Sequence, residues 1–174
     1  MKCRKTDIPA DSLVRQVLPA GYTDAFSCEV PGEMTYSVDD LQVSFWTVMP
    51  GWVNALFKLR NVLVKPFGLK GGEGDSTFQK MMEQTIRTGG SNGMTSVPFK
   101  NDRETVLKLS DKHLDAYASV YVRKDTPKPE VTVITVVHYH NRLGKVYFFF
   151  IKPFHKIIVK STLKSTLKRL NKTE

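Results

Sequence analysis

The chain has 174 residues, 41% hydrophobic and 25% charged, a length and composition that suit one ordinary globular domain. Its two cysteines, Cys3 and Cys28, are too few for a disulfide framework and read as reduced thiols, with a single bridge between them as the alternative. The opening MKCRKTDIPADS has no signal-like apolar stretch, and no apolar run approaches the roughly 20 residues a membrane span needs, so a soluble, cytoplasmic protein is expected. Net charge is +9, which admits nucleic acid, anionic membranes or acidic ligands as partners.

Residues 1–21 read as an extended lead-in or a brief helix, and Asp24–Val30 as a first strand ended by the turn Pro31-Gly32. Ser37 is a good helix N-cap, with Asp39 and Asp40 in the first turn where carboxylates favour the helix dipole. Leu41, Phe45, Val48, Trp52, Leu56, Leu59 and Leu63 then recur at helical spacing. Pro50 and Gly51 divide that stripe, which predicts two helices, roughly 38–48 and 51–64, the second stopped by Pro66 and Gly68.

Residues 70–93 are glycine-rich and read as a flexible or variable insertion with a short helix at Phe78–Ile86. The GGEGDST segment lacks the Gly-Lys-Ser/Thr ending of a nucleotide-binding loop. From Met94 the period shortens to that of strands, at Thr95–Phe99, Thr105–Leu109, Asp115–Arg123, Val131–His140 and Lys145–Ile151. A long terminal helix is expected to begin at Pro153, whose missing N–H costs little in a first turn. The predicted fold is α+β. A curved antiparallel sheet wraps round a long C-terminal helix, with two short helices after the first strand, in a single domain over 1–174.

Four stretches suggest a family. They are Met49-Pro50-Gly51-Trp52 with Leu59-Arg60-Asn61; Lys65-Pro66-Phe67-Gly68-Leu69; Ser110 through Asp115; and Gly144-Lys145-Val146-Tyr147 through Lys152-Pro153-Phe154-His155-Lys156. With this order of elements the chain resembles the helix-grip proteins of the START and birch-pollen-allergen superfamily (SRPBCC). More narrowly, it is similar to a bacterial family of unknown function whose members occur alone or attached to sugar-epimerase-like proteins. The resemblance implies a fold, with a cavity between sheet and terminal helix, and brings no established activity.

Several side chains are candidates for chemistry. Asp111, His113 and Asp115 place an imidazole among carboxylates, which suits acid–base work or a polar ligand contact and equally suits turn chemistry. His138 and His140 share one side of a strand, but spacing supplies no third metal ligand, and no cofactor is expected. His155 and Lys152, at the expected helix start, would assist exposed N–H groups in holding an anion. Arg60 flanks the apolar stripe and can pair with a carboxylate or phosphate. Trp52 and Tyr117 belong to the aromatics that would pack the core or line the cavity.

Between Lys152 and Glu174 lie seven basic residues and one acid. The lysines at 152, 156, 160, 164, 168 and 172 are spaced by four, so the row swings by about 200° over its length. A spiral of this kind makes at most a weak contact with an anionic membrane. Nucleic acid is not expected, because no recognised binding motif is present. The leading expectation is a binding protein for a small apolar or lipid-like ligand carrying one acidic group. The alternatives are a hydrolase or cyclase of the same fold using Asp111, His113 and Asp115, and a peripheral module on anionic membranes.

Overall fold

A computed structural model describes residues 2–30, 32–47, 51 and 76–171. Among them, six strands form one antiparallel sheet: β1 (Cys3–Lys5), β2 (Tyr22–Glu29), β3 (Thr95–Lys100), β4 (Glu104–Ser110), β5 (Leu114–Arg123) and β6 (Glu130–Tyr139). Their order across the sheet is β1-β2-β6-β5-β4-β3. Among the described residues three α-helices accompany them: α1 (Val38–Thr47), α2 (Ser76–Thr88) and α3 (Arg142–Leu170). The fold is α+β with a long C-terminal helix, as the order of elements implied.

Side chains alternate across the sheet, and both faces are covered. On one face, Phe26 and Cys28 of β2, Val131 and Val133 of β6 and Val120 and Val122 of β5 meet Leu41 and Phe45 of α1 and Val159, Leu163 and Leu167 of α3. α2 extends this layer, packing Met82 and Ile86 against Val43, Val97 and Leu107. The lead-in closes the opposite face. Its 3-10 helix (Leu13–Val17) places Val14 among Ala25, Val106, Tyr121, Ile134 and Val136.

Glu104 holds that segment down. Its buried carboxylate accepts hydrogen bonds from Ser12 Oγ at 2.8 Å, Leu13 N at 2.5 Å and the Ser119 hydroxyl. Tyr121 adds a bond from its hydroxyl to Asp11 at 2.9 Å.

Ser37 caps α1 as expected. Its hydroxyl accepts from Asp40 N at 3.1 Å, and the Asp40 carboxylate accepts in return from Ser37 N at 3.1 Å, a reciprocal arrangement that satisfies two free donors. The helix expected at 51–64 lies outside the described residues apart from Gly51. The stretch read as an insertion with a short helix carries the full 13-residue α2.

Two expectations are corrected. Lys145–Ile151 is not a strand, because it forms the second and third turns of α3, whose 29 residues begin at Arg142. Asn141 caps that start, its side chain accepting from Gly144 N at 2.9 Å. Pro153 is therefore inside the helix, not at its start. Phe148 is buried while Phe149 and Phe150 are exposed, so this aromatic run spans two helix faces and hides its helical period.

The cysteines are the second correction. Cys3 and Cys28 form a disulfide, not two reduced thiols. The short β1 strand pairs with β2 in a register that sets them directly opposite, Cα to Cα 4.3 Å, close to the short limit of bridging distances.

Candidate functional site

On the helix-covered face, Tyr22 and Asp24 project from β2 toward α3, two residues apart and so on one side of the strand. Thr135 of β6 is the register partner of Asp24. His155 of α3 completes the cluster, with Nε2 3.1 Å from Thr135 Oγ1 and 3.5 Å from Asp24 Oδ1. The Tyr22 hydroxyl donates to Asp24 Oδ2. Oδ1 is buried without a hydrogen bond of good geometry, so His155 holds it by charge and proximity.

Burial alone would raise the Asp24 carboxyl. The close approach of His155, with the Tyr22 and Thr135 hydroxyls, outweighs it and holds the group below the ordinary carboxylate range. Burial, then the neighbouring Asp24, push the Tyr22 phenol far above its usual value. Phe148 roofs the cluster, its ring 4.8 Å from Tyr22 and 5.8 Å from His155. The Lys152 ammonium lies 5.0 Å from the Tyr22 ring centroid.

A second feature opens to solvent on the same layer. A groove of about 510 Å³ runs between α1, the end of α2 and the end of α3. Tyr36, Val43, Thr47 and Leu170 line it, together with Arg87 and Arg169. Arg87 pairs with Glu83 at 3.0 Å and Asp40 at 3.1 Å, and these bonds raise its pKa. Asp40 is in turn held below the usual range, first by the Ser37 hydroxyl.

The interface between the sheet and α3, where the sequence placed a cavity, is packed among the described residues by Phe26, Val120, Val133, Leu163 and Leu167. Gln42 Oε1, Thr162 Oγ1 and Thr166 Oγ1 are nevertheless buried there or close by without a hydrogen-bond partner.

The candidates named from the sequence do not converge on one point. His155 is in the buried cluster, although at a mid-helix position and not among the exposed N–H groups of a helix start. Asp115, Tyr117 and His138 project from the opposite face. There His138 Nε2 is 2.8 Å from the Val17 carbonyl and meets Tyr117 edge-on at 5.8 Å. Asp115 pairs with Lys108 at 2.9 Å and with His140 at 3.4 Å. Burial raises the Asp115 carboxyl, but the bonds from Lys108, Ser110 and His140 bring it below the usual range.

His113 Nδ1 contacts the Asn141 amide at 3.1 Å, and Asp111 accepts from Lys112 N at 2.6 Å within its own turn. Trp52 and Arg60 lie outside the described residues. Tyr22 and Asp24 escaped sequence reasoning. The available signal was their two-residue spacing on a strand, but nothing in the sequence points His155 toward them. Among the described residues, no cluster of three His, Cys, Asp or Glu is placed to hold a metal.

A family model described as "Protein of unknown function (DUF2867)" matches residues 18–162, most of the chain. The chain belongs to this family. The DUF2867 match spans β2, α1 and the whole of β3–β6, and it reaches into α3 as far as Thr162. It therefore takes in the Tyr22–Asp24–His155 cluster, while Arg169 and Leu170 of the groove fall beyond it. A comparison with curated proteins gives no match.

Proposed function

We propose that this DUF2867 member binds a small, mostly apolar ligand bearing one acidic group, in the groove between α1, α2 and the end of α3. The observation that carries the proposal is the pairing of apolar walls with two guanidinium groups. Tyr36, Val43 and Leu170 offer surface for an apolar body, while Arg87, already bonded to Glu83 and Asp40, and Arg169 bring guanidinium charge to the groove that would attract a carboxylate or sulfonate. A volume of about 510 Å³ falls within the range of small-molecule sites. The order of elements supports a START-like reading of the fold, in which a ligand sits on the helix side of the sheet. A cytoplasmic location enters this proposal only with the Cys3–Cys28 pair reduced, since such bridges persist in oxidising compartments.

The test is fluorescence titration with anilinonaphthalene sulfonate, an aromatic body with one acid, followed by displacement with oleate. Thr47→Trp, which fills the groove, should abolish saturable binding. Arg169→Ala should weaken it about tenfold while leaving the fold intact. Saturable binding that both variants leave unchanged would place the ligand elsewhere and overturn the proposal.

A further inference from the structure

Among the described residues, α3 is covered on one face only. Phe148, Val159, Leu163 and Leu167 are buried. On the outward side of its first half, Phe149 is 71% exposed, Phe150 66%, Ile157 58%, Val146 53% and Phe154 52%. At 100° per residue these five side chains fall within an arc of about 140°, so they form one surface and not scattered singles. A contiguous apolar patch of this kind marks an interaction site.

The charge around the patch identifies what it meets. α3 contains no Asp or Glu over its 29 residues. Lys145 and Lys156 follow one border of the patch and Lys164 continues beyond its end, while the Lys152 and Lys160 ammoniums turn back over the Tyr22 and Phe26 rings of β2. A second copy of this helix would set lysine against lysine. An anionic bilayer instead offers acyl chains to the phenylalanines and headgroup phosphates to the lysines, the usual division of labour in an interfacial helix. No helix among the described residues is long and apolar enough to cross a membrane, so this one would lie along the surface. The lysine spiral alone makes a poor basic face; the phenylalanines beside its first turns give it an apolar partner.

We propose that the outward face of α3 from Val146 to Ile157 docks on an anionic lipid bilayer. This surface is separate from the groove and does not depend on it. Cosedimentation with vesicles of phosphatidylcholine alone, and of phosphatidylcholine with phosphatidylserine, tests the proposal. The chain should pellet with the anionic vesicles only, and added salt should release it as the lysine contacts are screened. The triple variant Phe149→Ser, Phe150→Ser, Phe154→Ser changes exposed residues and should keep the wild-type circular dichroism. It should bind anionic vesicles about tenfold less tightly. Pelleting that ignores lipid charge, or that survives the triple variant, overturns the proposal. So does a concentration-dependent dimer, seen by analytical ultracentrifugation and dissolved by the triple variant while vesicles stay unbound, which would assign the face to self-association.

Discussion

The Asp24 carboxylate and the His155 imidazole face each other across the sheet–helix interface, Oδ1 to Nε2 3.5 Å, with the Asp24 side chain only 1% exposed. The contact joins a strand near the start of the chain to the middle of its last helix. A charge so well shielded from solvent depends on its neighbours, and that dependence can be measured.

Asp24→Asn keeps the shape and removes the charge. A carboxyl whose folded value lies below its ordinary value of 3.8 stabilises the fold fully above that pH. The contribution drains away as pH falls from 3.8 through the depressed folded value. Thermal melts across this range should show wild type losing stability steeply in acid, while the Asp24→Asn variant gives a flatter acid limb. At neutral pH the variant should be less stable by about 1–3 kcal/mol, because His155 loses a charged partner.

Gly144 lies where α3 passes the turn between β4 and β5, and a Cβ there would overlap the His113 carbonyl oxygen. The oxygen is already engaged by His140 N at 2.9 Å and is part of the backbone, so it cannot swing aside. Gly144→Ala gains helix propensity of about 1 kcal/mol. The overlap costs more, and urea denaturation should show a net loss of about 1–2 kcal/mol.

Reduction of Cys3–Cys28 opens a link spanning 25 positions. Chain-entropy reasoning gives a loss of about 3 kcal/mol. Melts with and without dithiothreitol should differ accordingly, and Cys3→Ser should melt with the reduced protein and ignore the reductant.

Glu104→Ala removes the acceptor shared by Ser12, Leu13 N and Ser119. Buried donors without a partner cost about 1–3 kcal/mol each, so the variant should lose at least that much in urea denaturation. Hydrogen exchange should quicken first in residues 11–18. The groove and the outward face of α3 lie on the other side of the sheet, so ligand and vesicle binding by the folded fraction should be unchanged.

Strands β2–β6 were legible because their apolar residues alternate or run unbroken between clear turns, and α1 because Ser37 and two aspartates announce its start. KVYFFFI misled for a physical reason. Aromatic and β-branched residues favour strands, and here they also occupy both sides of a helix, so neither period stands out. Pro153 reinforced the error by resembling a helix start. Asn141, an N-cap residue three positions before Gly144, was the overlooked signal. The candidate site was less visible still. Asp24, Thr135 and His155 come from three distant parts of the chain, and only the register of β2 on β6 and the seating of α3 bring them together. The disulfide stayed hidden because β1 is three residues long, too short for any pattern to predict its pairing.

Pro153 has one more consequence. Lacking an N–H, it leaves the Phe149 carbonyl without the donor that the helical ladder would supply. The omission falls within the stretch that presents Phe149, Phe150, Phe154 and Ile157 to the outside, ahead of the part wedged onto the sheet by Leu163 and Leu167. It makes a joint in what otherwise reads as one rigid rod. The joint sits inside the exposed stretch, with Phe149 and Phe150 before it and Phe154 and Ile157 after it, while Phe148 on one side and Leu163 on the other hold the helix to the sheet.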